Sequence, residues 1–136
     1  MNTKINIDKI ASSIKENFPE IPFAHIFGSS ANGIVKTGAD IDIAIWYNGN
    51  DPFVKVKVLE VLEPIINDVS IDIVNICSTN PLLAHEALAG NLLFLREGQE
   101  YNYASFYSKT AAEYEDKIYW IQKQLQYRGY EVQWNH

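Results

Sequence analysis

The chain has 136 residues, 47% hydrophobic and 21% charged, the balance of one globular domain rather than a disordered segment. Lys and Arg number 11 against 17 Asp and Glu, a formal net charge of -6 that lacks the basic footprint of a general nucleic-acid binder, so no direct nucleic-acid binding is expected. One cysteine, Cys77, excludes an internal disulfide and a multi-cysteine zinc site. With no apolar run of membrane-spanning length and no signal peptide at the start, the expected location is the cytoplasm, without a membrane partner.

No repeat or linker divides the sequence, so residues 1–136 are read as a single domain, with a core at about 20–78 and a helical part at about 81–130. Ile7, Ile10, Ile14 and Phe18 recur at three and four residues, which predicts an amphipathic helix that Pro19 and Pro22 end. Phe23 to Phe27 is a short apolar run, a buried strand stopping at Gly28. Gly33 and Gly38 mark irregular backbone beyond it and are read as punctuation. Asp40 to Tyr47 is rich in strand formers and is closed by Asn48-Gly49-Asn50-Asp51-Pro52. Phe53 to Ile66 reads as a helix with Val54, Val58, Val61, Leu62 and Ile65 along one stripe. Ser70 to Ile76 is another strand, and Pro81 opens a helix over Leu82 to Ala89. The longest helix follows, from about Tyr101 to near Gly129. The fold class is α/β (α+β), a small mixed sheet flanked by helices.

The chemistry is concentrated between Phe27 and Ile45. Side chains alternate along a strand, so Asp40 and Asp42 share one face while Ile41 and Ile43 share the other. Two neighbouring carboxylates repel, and a cation between them relieves the repulsion. Mg²⁺ suits such a pair, because it takes carboxylate oxygens and completes its shell with water and phosphate. Asp72 stands in the second apolar strand and joins the pair if the two strands are neighbours, about 4.8 Å apart. Three acids on one sheet are the architecture of metal-assisted phosphoryl or nucleotidyl transfer. Gly28 at a strand end lets backbone approach a phosphate, and a helix starting at Ser29 or Ser30 would aim free N–H groups at it. The Ser29 hydroxyl adds a donor.

Gly28-Ser29, ten residues, then Asp40-Ile41-Asp42 resembles the signature of the polymerase β-type nucleotidyltransferase superfamily. The short chain is similar to its minimal members, the MNT antitoxins encoded beside HEPN-domain toxins. The resemblance is strongest from Phe23 to Ile76 and extends more weakly through His85 to Phe94. It departs from the family at Asn32 and Ala39, outside the required positions. The resemblance implies a polymerase β-like catalytic core followed by a C-terminal helix. It implies a protein adenylyltransferase that moves AMP from ATP, releasing pyrophosphate, onto a tyrosine of a HEPN RNase toxin and so neutralises it. By the same resemblance Asp40 and Asp42 hold Mg²⁺, two ions in all. Asp72 ligates the second ion and acts as general base, and Gly28, Ser29 and Ser30 bind the nucleotide.

Two other functions share these residues: a non-catalytic antitoxin that works by occlusion, and a small-molecule nucleotidyltransferase of the aminoglycoside-modifying type. Only about sixty residues follow Ile76, little for a helical substrate domain of the second kind. His25 and His85 are read as packing residues and Cys77 as a small buried hydrophobe. Ala104, Tyr107, Ala111, Tyr114, Ile118, Ile121 and Leu125 form a heptad-like stripe. Two readings of it stand. Either it packs on the protein's own sheet or first helix, or part of it, with Trp120, Tyr127, Tyr130 and Trp134, faces a partner.

Overall fold

A computed structural model describes residues 2–129; Tyr130 and Trp134 lie outside the described residues. The elements in order are β1 (Thr3–Lys4), α1 (Ile7–Asn17), β2 (Phe23–Phe27), a one-turn 3₁₀ helix (Gly28–Ser30), β3 (Ile34–Val35), β4 (Ile41–Trp46) and α2 (Val54–Leu62). There follow β5 (Ile71–Asn75), a second 3₁₀ turn (Ile76–Ser78), α3 (Pro81–Leu88), β6 (Asn91–Leu95) and α4 (Glu100–Tyr127). The main sheet has the order β5-β4-β2-β6, with β4 and β5 parallel and the other neighbours antiparallel. It is therefore mixed, as expected. β1 and β3 form a separate two-stranded ribbon.

Alternation along β4 sorts its side chains between two layers. Ile41, Ile43 and Ile45 are fully buried in the cluster that holds Ile10 and Ile14 of α1 and Val58 and Leu62 of α2. Each such side chain contributes about 1.5–3 kcal/mol when buried. A slip of one residue would bring Asp42 into that layer, so the isoleucines pin the register that aims Asp42 at the opposite face. That face carries Ala44 and Trp46 and is covered by α3 through Ala84, Ala87 and Leu88.

The turn into α1 is set by Asn6, whose side chain accepts the Lys9 N–H at 3.1 Å. Its far end is closed by Arg96, whose guanidinium donates to the carbonyls of Lys15, Phe18 and Ile21 at 2.6–2.8 Å. α3 opens as predicted, with Pro81 in its first turn and Asn80 as its cap.

Three expectations need correction. The strand β6 is absent from the sequence reading: Asn91-Leu-Leu-Phe-Leu95 has no polar alternation, and its strand character comes from pairing with β2. The helix expected to reach Ile66 stops at Leu62, because Pro64 interrupts it and Asp68 turns the chain with a φ of 62°. The inward face of α4 is rotated from the expected stripe. Tyr103, Phe106, Thr110 and Tyr114 face the body, whereas Ala104 and Tyr107 are exposed. The aromatic anchors decide this: the Tyr103 ring meets Phe23 edge-on at 4.8 Å, and its hydroxyl is hydrogen-bonded to His25 Nε2 at 2.9 Å. His25 and His85 do pack, the latter stacked on Tyr114 at 3.7 Å, and Cys77 is partly buried. Among the described residues no helix is long and apolar enough to cross a membrane.

Candidate active site

β4 and β5 run parallel with Asp42 opposite Asp72, and on the other side of β4 Asp42 pairs with Phe27, the last residue of β2. Asp40 immediately precedes β4 and is exposed, as is Asp72, while Asp42 is half-buried between them. The three acids read from the sequence therefore meet at one end of the sheet. α3 brings a fourth. The carboxylates of Asp72, Asp40 and Glu86 all act on Asp42, and with its burial, the largest cause, they push its carboxyl above the usual carboxylate range.

Gly28 follows Phe27 with a φ of 74°, a conformation that favours glycine. A Cβ there would stand 2.5 Å from Asp42 Oδ2, so the missing side chain is also what leaves room for the carboxylate. Ser29 is exposed at the turn. Ser30 is fully buried, and its hydroxyl donates to the Asp40 carbonyl at 2.7 Å. It fastens the turn to the start of β4 and has no free hydroxyl to offer a ligand. No α-helix begins here: Gly28–Ser30 is a single 3₁₀ turn closed by Ala31 N–H donating to Gly28 O. Gly33 ends the turn, held by its N–H donating to Ser30 O, and serves the backbone rather than the acids.

The donor set suits a hard divalent cation. All its atoms are carboxylate oxygens, and the repulsion on Asp42 is what a cation would relieve. Among the described residues no group of three or more acidic, histidine or cysteine side chains is close enough together to hold a metal ion by itself. An open arrangement fits Mg²⁺, which keeps water and substrate oxygens in its shell and takes only one or two carboxylates from a protein. Of the residues at this end of the sheet, Asp40, Asp42 and Asp72 are the ones that would hold such an ion. Glu86 escaped the sequence reading because its approach depends on how α3 docks, and a lone exposed glutamate on a helix carries no local signal.

Residues 8–99 match the family described as Polymerase beta, Nucleotidyltransferase, a span that includes all three aspartates and Gly28. The chain belongs to the polymerase β nucleotidyltransferase family. Its fold is similar to a chain in a crystal structure of a substituted MntA–HpeT toxin–antitoxin, with a TM-score of 0.68, 22% identity and coverage of 90% of this chain and 94% of that one. A toxin–antitoxin crystallised with AMP-PNP gives a TM-score of 0.66 at 22% identity, covering 90% and 94%. A rebuilt structure of tri-AMPylated Shewanella oneidensis HEPN toxin in complex with MNT antitoxin gives 0.62 at 20% identity, covering 88% and 89%. At these identities the likeness is one of nucleotidyltransferase fold. No curated protein matches the sequence.

Proposed function

We propose that this nucleotidyltransferase is the antitoxin of a HEPN toxin pair and transfers AMP from ATP to a tyrosine of that toxin. The observation that carries the proposal is the in-register pair Asp42 and Asp72, flanked by Asp40 and faced by Gly28 across the strand end. Fold likeness to toxin–antitoxin structures, one holding AMP-PNP and one an AMPylated toxin, supports the choice of nucleotide and of partner.

Asp40 and Asp42 would hold Mg²⁺, and Asp72 would ligate a second ion. Bound there, Mg²⁺ supplies Lewis-acid stabilisation of charge on the α-phosphate and the departing pyrophosphate. The Gly28–Ser29 turn grips the phosphates through backbone N–H groups and the exposed Ser29 hydroxyl. The Ser30 hydroxyl is spent on Asp40, so Ser30 contributes only backbone. A tyrosine phenol has an ordinary pKa near 10 and needs a base at neutral pH. Asp72 takes that proton, and its exposure on the outer strand suits it to meet an incoming hydroxyl. The phenolate oxygen bonds to the α-phosphorus as the bond to pyrophosphate breaks, in line with it.

Co-expression with a cognate HEPN toxin tests this reading. Wild type restores growth and Asp42→Asn does not. Full protection by Asp42→Asn would mean that occlusion suffices. Transfer of AMP to small hydroxylated acceptors with no protein present would point to a small-molecule enzyme instead.

A further inference from the structure

We infer that the second half of α4, from Lys117 to Tyr127, with Arg128 at its cap, is the arm by which the chain grips its acceptor protein, in an apolar groove bordered by carboxylates. The inference rests on the reading of the chain as a protein-modifying enzyme and adds the surface that selects the protein.

Among the described residues, the ring contacts that hold α4 to the body lie in its first half, and beyond them Ile118, Gln122 and Leu125 are half-buried. Thr110 is its one buried residue among those described, and Tyr114 against His85 is the last ring contact it makes with the rest of the protein. His85 is the neighbour of Glu86, whose charge reaches Asp42, so the helix becomes free beside the acid cluster. The eleven helical residues from 117 to 127 then extend for about 16 Å at 1.5 Å each.

The free half is apolar on more than one face. At 100° per residue Ile118, Ile121 and Leu125 continue the side that packs inward earlier in the helix, while Trp120 and Tyr127 lie on the reverse. Ile121 is 38% exposed, Trp120 64% and Tyr127 94%. Apolar side chains on two sides of a helix, interleaved here with Lys117, Gln122, Lys123, Gln124 and Gln126, suit a partner that reaches around it, whereas a helix lying on a lipid surface is apolar on one face and charged on the other. A second copy laid along one stripe would also leave the reverse uncovered. The occupant that matches is a groove between elements of another protein, with tryptophan and tyrosine as anchors.

Charge defines the rim of that groove. Lys117 and Lys123 fall in this half, Arg128 caps it, and no Asp or Glu stands between 117 and 129, in a chain whose net charge is -6. The arm reverses the sign of the protein that carries it. A groove edged with Asp and Glu complements it and raises the association rate at low salt.

The test uses the full chain, its cognate HEPN toxin, and the Trp120→Ala/Tyr127→Ala and Lys117→Glu/Lys123→Glu double variants. All four side chains are exposed, so the melting temperatures stay at the wild-type value. Each variant is expected to weaken the complex at least tenfold by calorimetry. KM for the toxin rises by a similar factor, with kcat at saturating toxin and ATP affinity unchanged. Wild-type affinity in both variants overturns the inference. So does a dimer of the free chain that Trp120→Ala/Tyr127→Ala dissolves, or binding of the arm to anionic vesicles in place of toxin. A wild-type complex that transfers no AMP contradicts the proposed reaction alone, and the binding series still decides the arm. Absence of any wild-type complex contradicts both.

Discussion

Gly28 and Asp42 face each other across the end of two antiparallel strands so closely that a single added carbon on the glycine would lie 2.5 Å from a carboxylate oxygen. The glycine thus serves two purposes: it turns the chain at a φ of 74° and leaves Asp42 its place beside Asp72. Chain reversal and acid cluster are one construction.

Gly28→Ala tests that coupling. A side chain in the left-handed region costs about 1–2 kcal/mol, and relief of the clash requires Asp42 or the turn to move. Stability measured by urea unfolding should fall by about that amount. AMP transfer should fall far more, by a hundredfold or beyond, because ~1 Å of displacement at a reacting centre is enough for such a loss. A fall in rate no larger than the loss of folded protein would mean that the glycine serves the turn only.

Asp42→Asn separates stability from activity. Without divalent ions Asp42 lies among the charges of Asp72, Asp40 and Glu86, which resist its ionisation. Neutralising it should raise Tm in EDTA. Mg²⁺ with ATP should raise Tm of the wild type and leave the variant unmoved. Transfer should drop at least a thousandfold. A variant less stable than wild type in EDTA would show that the carboxylate is held by partners rather than repelled.

His25 gives the protein a pH dependence remote from the acids. It is 2% exposed, with Nε2 bonded to Tyr103 and Nδ1 without a partner, and burial lowers its pKa from 6.5 to about 4. The folded state therefore favours the neutral ring. Its contribution is fully present above pH 6.5 and is lost as pH falls toward 4, a difference of about 3 kcal/mol. Urea unfolding at pH 7.5 and 4.5 should show a smaller loss for His25→Gln than for wild type. Parallel losses would place the acid sensitivity elsewhere.

Much of this arrangement is legible in the order of the residues. The isoleucines of β4 announce a strand with one deeply buried face, and the alternation that buries them obliges Asp40 and Asp42 to share the other. Placing Asp72 beside them needs only that β5 be the neighbour of β4, which it is. The rest is set by contacts distant in sequence. Asn91 to Leu95 becomes a strand because β2 has a free edge, and α4 takes its rotation from Tyr103 meeting Phe23 and His25, whereas spacing alone allows the stripe through Tyr107. Glu86 reaches Asp42 through the docking of α3. Ser30 reads as part of a phosphate grip, yet its hydroxyl is turned inward to the Asp40 carbonyl, a choice that composition does not reveal.

The central claim is that these acids move AMP to a protein. Intact mass spectrometry of the HEPN toxin, incubated with the chain, ATP and Mg²⁺, reads it directly. The toxin is expected to be heavier by one or more adenylates, with no gain with Asp42→Asn or EDTA. A toxin that forms a stable complex with the wild-type chain yet keeps its unmodified mass would contradict it.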